Sequence, residues 1–109
     1  MKMQVRTTDE FEKWFNKLRD VKAKAVIGVR INRIKTTGNL GDYKILADGI
    51  NELRISYGPG YRIYFTRHKD EIVLLLNAGD KSTQQRDIDK ARKLDAIYDK
   101  GDGSNEKIS

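Results

Sequence analysis

This chain of 109 residues has no cysteine, one proline and one histidine, His68. The missing cysteines exclude disulfide bonds and thiolate metal sites, and a single histidine excludes a metal site built from a histidine cluster. A Ser-His-Asp triad would need His68, which lies in a predicted turn among charged residues. There is no Walker loop and no Gly-rich dinucleotide fingerprint. The segment Gly58-Pro59-Gly60 contains a proline and leads into a predicted strand instead of a helix. The sequence therefore indicates neither metal nor dinucleotide chemistry.

Long apolar segments are also missing. No stretch approaches the ~20 apolar residues of a membrane span, and the first residues lack the apolar core of a signal peptide. We therefore expect a cytoplasmic protein, and the length predicts a single domain. We place this domain at residues 1–98 and expect residues 99–109 to be a disordered tail, because they have nothing to bury.

Positive charge is concentrated in the middle of the chain. The net charge is +6, and residues 22–69 carry ten basic and three acidic residues. Such a field favours a polyanionic partner, with nucleic acid first. A membrane surface is a poorer choice because no amphipathic anchor is visible.

The apolar patterns predict an α+β domain with the element order β-α-α-β-β-β-β-α. Strands are expected near residues 1–6, 43–47, 50–57, 61–67 and 71–78, and helices near residues 8–19, 21–36 and 82–98. The two early helices should pack together on one side of a small, mainly antiparallel sheet. The aromatic stripe of the first helix is assigned to the core rather than to base stacking.

Local signals place the ends of these elements. Thr7, Asp20 and Ser82 are the expected N-terminal caps of the three helices, and Gly38 is placed to end the second. The pair at residues 48–49, Asp-Gly, predicts a tight hairpin turn between the second and third strands.

The segment of residues 52–65 is the most informative, because two alternating strands flank a Gly-Pro-Gly turn. Side chains on a strand switch faces at every residue, so the apolar set determines which face is buried. If Leu53 and Ile63 face the core, Arg54 and Arg62 stand together on the outward face with Tyr64 beside them. The alternative is an ordinary solvated sheet face.

Arginine, lysine and tyrosine side chains can bind a phosphate, offset the charge that develops on it, and move protons where a positive field lowers a tyrosine or lysine pKa. Metal-free RNA cleavage through the ribose 2′-hydroxyl needs little else. No carboxylate pair is indicated. The candidates, from neighbouring strands or strand ends, are Lys44, Arg54, Tyr61, Arg62, Tyr64 and Lys81.

Basic residues of the second helix are placed to lie against phosphates. We assign Arg30, Arg33 and Lys35 of this helix to RNA binding, together with Lys44 and Arg67. The alternative is a solvated helix face.

Three segments in register carry a family resemblance: Gly-Asn-Leu-Gly-Asp at residues 38–42, the hairpin at 52–65, and residues 74–88 with Leu-Leu-Leu and Gly-Asp-Lys-Ser-Thr-Gln. Together they resemble the HigB-like "addiction-module killer protein" branch of the RelE/ParE toxin superfamily, over most of residues 1–98. The resemblance implies a bacterial type II toxin that cleaves messenger RNA in the ribosomal A site without a metal or other cofactor. It also implies a small antitoxin from the same operon, expected to be of the helix-turn-helix type.

The same resemblance ranks the candidate residues. Arg62 matches the phosphate-contacting arginine of the RelE branch, Arg54 the basic residue of the preceding strand, and Lys81 the one that follows the last strand. Two positions depart from the pattern. Glu52 stands where RelE has a lysine, and the C-terminal catalytic tyrosine of RelE aligns near Asp87 of this chain. The general base therefore stays open, with Lys44, Tyr61 and Tyr64 as substitutes.

Two other functions stay open for this family. ParE toxins share the fold but poison DNA gyrase by binding it, and a toxin fold can also lose its activity and only bind its antitoxin. We expect an antitoxin to cover the cationic face or the helices beside it, because an acidic peptide would neutralise the charge there.

Overall fold

The computed structural model describes residues 3–69 and 72–99, which form a five-stranded sheet and three helices. The strands are β1 Gln4–Thr7, β2 Tyr43–Ile45, β3 Asn51–Ile55, β4 Tyr61–His68 and β5 Ile72–Asp80, and the helices are α1 Asp9–Lys17, α2 Val21–Thr37 and α3 Gln84–Asp99. The α+β class and the order of elements agree with the prediction. Residues 1–2, 70–71 and 100–109 lie outside the described residues, and with them parts of the predicted first strand, of the turn after β4 and of the tail. None of the helices that are described has the length and apolarity needed to cross a membrane.

The strands lie in the order β1-β5-β4-β3-β2, with β1 parallel to β5 and every other pair antiparallel. The predicted central strand is confirmed, because β5 lies between β1 and β4 and is buried from Val73 to Gly79. A β-bulge interrupts its pairing with β4: Tyr64 is opposite Asn77, and the next residue of β4 is opposite Leu75. This bulge changes which side chains of β5 face each side of the sheet.

One face of the sheet packs against α1 and α2. The side chains of this core include Phe11, Ala23, Ile27, Ile34, Leu53, Ile55, Ile63, Phe65, Val73 and Leu75. The aromatic stripe of α1 belongs to it as predicted, with Phe11 fully inside and Trp14 and Phe15 packed against it.

The opposite face is covered by α3, which corrects the expectation that this face looks outward. The apolar stripe of α3 packs against Tyr64, Leu74 and Leu76, and both Glu52 and Tyr64 are fully buried. An amphipathic helix must bury its apolar face, and α3 does so on this second face of the sheet. The part of the face beside the first residue of α3 stays accessible, and the Arg54 side chain is 37% exposed there.

The helix ends agree with the sequence in two of the four predicted positions. Asp20 caps α2 by accepting a hydrogen bond from the Ala23 backbone N–H, and Gly38 ends that helix with a φ of 75°. The first cap is Thr8 rather than Thr7, which pairs with Leu75 in the sheet. The Thr8 hydroxyl accepts from the Phe11 backbone N–H and donates to the Leu76 carbonyl, so it joins α1 to β5.

The third cap is also displaced from its predicted position. A short 3-10 turn, Lys81–Thr83, precedes α3, and Asp80 caps this turn by accepting from the Ser82 backbone N–H at 2.8 Å. Ser82 therefore does not cap α3. Because this turn follows β5 directly, α3 begins close to the end of the strand.

The hairpin between β2 and β3 is confirmed, although β2 is shorter than predicted. Asp48 and Gly49 have φ values of 62° and 77°. A tight two-residue turn needs positive φ at both positions, which an Asp-Gly pair adopts readily.

Candidate active site

Strand pairing brings the two predicted arginines together. Arg54 of β3 is directly opposite Arg62 of β4, and in the next pair on the same face Glu52 is opposite Tyr64. Lys44 of β2 is opposite Glu52 and continues that row to the edge of the sheet. Because directly opposed residues project to the same face, these five side chains stand together.

Glu52 is the centre of this cluster. It is 0% exposed, and one carboxylate oxygen, Oε1, faces both guanidinium groups, with Arg54 Nε at 3.3 Å and Arg62 Nη1 at 3.5 Å. The other oxygen, Oε2, accepts hydrogen bonds from the Tyr64 hydroxyl at 3.3 Å and from Gln84 Nε2 at 2.6 Å. A buried carboxylate is tolerated when it is paired in this way. Glu52 therefore offsets the repulsion between two arginines that face each other across neighbouring strands.

The arginine pair opens onto a cleft of about 400 Å³. Its lining is Asp42, Arg54, Ile55, Ser56, Gly60, Tyr61, Arg62 and Gln84. The side chain of Arg54 is 37% exposed and that of Arg62 is 16% exposed. Within the described residues, Nε of Arg62 has no hydrogen-bond partner. Two partly exposed guanidinium groups in a cleft can bind an anion such as a phosphate.

Tyr64 lies in the cluster as a neutral hydrogen-bond donor. Burial, followed by the charge of Glu52 and the hydrogen bond to it, raises the pKa of Tyr64 far above its ordinary value. The expectation that a positive field lowers a tyrosine pKa is therefore wrong here, because Glu52 and burial outweigh the opposite effect of Arg62.

Tyr61 lies on the other face of the sheet. Its ring packs edge-on against Trp14 at 5.9 Å between centroids, within the core formed with α1 and α2. Burial, followed by the charges of Asp20 and Asp80, raises its pKa as well. A positive field therefore lowers the pKa of neither tyrosine.

The two candidate lysines are exposed and lie at the border of the cluster. Lys81 begins the turn after β5, and a methyl group on Gly60 would stand 3.9 Å from its Cβ atom. Since Gly60 lines the cleft, Lys81 lies at its mouth. Lys44 lies beside Glu52 on the edge strand β2. A catalytic role for either lysine stays a prediction.

The other residues assigned to RNA binding do not line the cleft. Arg30 is half-buried and donates to the backbone carbonyls of Arg54 at 2.7 Å and Leu40 at 2.9 Å, so its guanidinium holds the loop before β2. Arg33 and Lys35 are exposed on α2, which packs on the opposite face of the sheet. Arg67 is exposed near the far end of β4, five residues and roughly 16 Å along the strand from the cleft. The RNA-binding roles of these residues stay predictions.

The start of α3 is held tightly against β5. Asp87 is buried, its carboxylate accepts a hydrogen bond from the Thr83 hydroxyl, and its backbone carbonyl accepts from Asn77 Nδ2 at 3.0 Å. A side chain on Gly79 would collide with the Asp87 carboxylate. These contacts position Gln84, one helical turn earlier, against Glu52.

The sequence did not indicate that Glu52 and Gln84 belong to the site. Glu52 showed a weak signal, since it shares the strand face of Arg54 and interrupts the resemblance to RelE. Gln84 showed none, because its role depends on where α3 packs. In residues 3–69 and 72–99 there is no cluster of three or more side chains of the types that ligate metals.

Comparison with known proteins gives three findings. The sequence profile of a family described as phage-derived protein Gp49-like (DUF891) matches residues 13–96. A protein of Haemophilus influenzae, described only as uncharacterized, is 48% identical over 94 residues, which are 86% of this chain and 94% of that protein. The solution structure of the conserved hypothetical protein HP0894 from Helicobacter pylori aligns with 73% of this chain and 96% of its own, at 20% identity and a TM-score of 0.48.

Proposed function

This chain belongs to the Gp49-like family of phage-derived proteins (DUF891), a family of toxin-like proteins, and we propose that it is the toxin of a type II toxin-antitoxin system. We further propose that it is a metal-independent, ribosome-dependent messenger RNA endonuclease that inhibits translation. The observation that carries this proposal is the pair Arg54 and Arg62, which a buried Glu52 holds at the floor of a cleft.

The proposed reaction is transesterification within the RNA. The ribose 2′-oxygen attacks the adjacent phosphorus, the bond from phosphorus to the 5′-oxygen breaks, and the products end in a 2′,3′-cyclic phosphate and a 5′-hydroxyl. The proton that the 2′-hydroxyl loses is balanced by the proton that the leaving oxygen gains. Negative charge increases on the phosphate oxygens in the transition state, where Arg54 and Arg62 would stabilise it.

The residues of the cluster take separate parts in this proposal. Arg62, whose side chain is less exposed than that of Arg54, lines the cleft and contacts the phosphate. Glu52 is a positioning residue, because it is fully buried and both its oxygens already have partners. Lys81 at the mouth of the cleft and Lys44 beside Glu52 are the candidates for proton transfer. In this proposal, electrostatic stabilisation by the arginines is the main source of catalysis.

The proposed partners follow from the same reading. The messenger RNA is the substrate, the ribosome presents it, and an antitoxin made from the same operon holds the toxin inactive. A net charge of +6 supports both contacts, since RNA is a polyanion and an acidic antitoxin would complement it.

Induction of the protein in a bacterium, followed by mapping of messenger RNA 5′ ends, tests the function. We expect new translation-dependent cuts that fall by roughly 10²- to 10³-fold in Arg62→Ala, because one donor to the transition state is lost. Arg19→Ala is the matched control, since Arg19 is exposed between α1 and α2 and does not line the cleft.

Two other results would contradict the proposal. Growth arrest with intact RNA would favour a gyrase poison, and no arrest at all would favour a protein that only binds its antitoxin. Cuts that persist in Arg62→Ala would remove Arg62 from the active site.

A further inference from the structure

A row of apolar side chains lies uncovered on the outer surface of α2. Val21 is 78% exposed and Val29 is 58% exposed, with the exposed Ala25 midway between them. Residues four apart lie one above another on a helix, so these three form a continuous row. Ala25 and Val29 also line a shallow groove of about 310 Å³ with Val26, which Arg30 and Arg33 border. A single exposed valine is ordinary, whereas a row beside a groove indicates a binding surface.

The charge around this row has one sign. Helix α2 contains five basic residues and no acidic one: Lys22, Lys24, Arg30, Arg33 and Lys35. By the same spacing Arg33, four residues after Val29, continues the row, while Lys22 lies beside its first residue and Lys35 lies beyond its end. Arg30 and Lys24 are engaged within the protein, by backbone carbonyls and by the Phe15 ring respectively. The other three are exposed and form a cationic rim around an apolar centre.

This surface, which we call the α2 ridge (Val21, Lys22, Ala25, Val29, Arg33 and Lys35), is separated from the proposed active site by the sheet. The inner residues of α2 pack on the face that carries Leu53 and Ile63. The side chains of Arg54 and Arg62 stand on the opposite face, and none of the ridge residues lines the cleft. The α2 ridge is therefore distinct from the residues proposed to bind the phosphate.

We propose that the α2 ridge docks an acidic amphipathic helix of the antitoxin. The inference rests on the proposed function for the identity of the partner, and on charge complementarity for its chemistry. Apolar side chains of the partner helix cover Val21, Ala25 and Val29, while its carboxylates face Lys22, Arg33 and Lys35. A partner bound there leaves the cleft open and blocks the toxin by excluding it from the ribosome.

The test measures the affinity of the antitoxin encoded beside this gene by calorimetry, with every variant made in the Arg62→Ala background. We expect Val29→Glu and Arg33→Glu each to weaken the complex by ~10-fold or more, because an apolar contact and an ion pair are lost and a like charge is added. Ile97→Glu and Lys93→Glu are matched controls on α3, since Ile97 is 64% exposed and Lys93 is exposed. We expect both controls to bind like the parent.

Four outcomes would overturn the inference: no complex at all, unchanged affinity in both ridge variants, an equal loss in the controls, or a Val29→Glu effect on self-association or RNA binding instead. Unfolding curves show whether each exposed variant keeps its fold. Messenger RNA cleavage is measured separately with the parent protein. If the parent cleaves no RNA but the ridge variants weaken antitoxin binding as expected, only the proposed activity is contradicted.

Discussion

Glu52 and Gln84 are 32 residues apart in the chain and are joined by a hydrogen bond of 2.6 Å from Gln84 Nε2 to Glu52 Oε2. Gln84 is the first residue of α3, and Glu52 is the second residue of β3. This bond therefore connects the position of the last helix to the carboxylate that holds the two arginines.

Replacing Gln84 by Ala removes a donor from a buried carboxylate. We expect the free energy of unfolding to fall by about 1–3 kcal/mol, and RNA cleavage to fall with it, because Glu52 then holds the arginines less firmly. Urea unfolding and cleavage assays measure the two effects. Gln85→Ala is the control, since Gln85 is exposed and donates a hydrogen bond to the exposed Asp89. Equal stability in the two variants would show that the Glu52–Gln84 bond contributes nothing.

Replacing Glu52 by Ala leaves Arg54 and Arg62 opposite each other without a carboxylate. We expect the free energy of unfolding to fall by on the order of 3 kcal/mol, because breaking a buried ion pair leaves charge uncompensated. Glu52→Gln should lose less, because the amide keeps the shape and accepts one hydrogen bond. Chemical denaturation at neutral pH compares them. A Glu52→Ala variant as stable as the parent would contradict the role of Glu52 as the organising carboxylate.

Gly79→Ala should destabilise the protein by about 1–3 kcal/mol, because the added methyl group meets the Asp87 carboxylate and the Thr83 hydroxyl. Gly28→Ala is a matched control in the interior of α2, where nothing lies within 4 Å of the added group. There we expect a gain of about 0.5–1 kcal/mol from reduced backbone entropy. Thermal unfolding of both variants measures these changes. If Gly79→Ala were as stable as the parent, α3 would be able to move away from β5 without loss of stability.

Tyr64 predicts a loss of stability at alkaline pH. Its pKa in the folded protein is raised above the ordinary tyrosine value of about 10, so the unfolded chain releases a proton that the folded chain retains. The stabilisation is complete below about pH 10 and is lost as the pH rises further. Tyr64→Phe should be less stable at pH 7 but should lose stability less steeply above pH 10.

Tyrosinate absorbance during an alkaline titration measures this effect, with the same titration in denaturant as its control. We expect Tyr64 to titrate only with unfolding in the native protein and with the ordinary pKa in denaturant. Identical alkaline slopes for the parent and Tyr64→Phe would contradict the prediction.

Local patterns in the sequence predicted most of the fold and the two arginines of the site. The period of two along a strand was enough to place Arg54 and Arg62 on one face, because side-chain direction depends only on the strand itself. Asp20 and Gly38 were predicted as helix ends for the same reason, since a cap acts on backbone groups a few residues away. The cap of α1 is Thr8 instead of the predicted Thr7, because the Thr8 hydroxyl bonds to the Leu76 carbonyl across the fold.

By itself the sequence determined the α+β class, the order of the elements and the shared face of the two arginines, because these follow from interactions among near neighbours. Only the tertiary structure decided that α3 covers that face, that Glu52 is buried under Arg54 and Arg62, and that Gln84 completes its hydrogen bonds. The physical reason is that burial and pKa depend on what packs against a side chain, and α3 reaches Glu52 from a distant part of the chain.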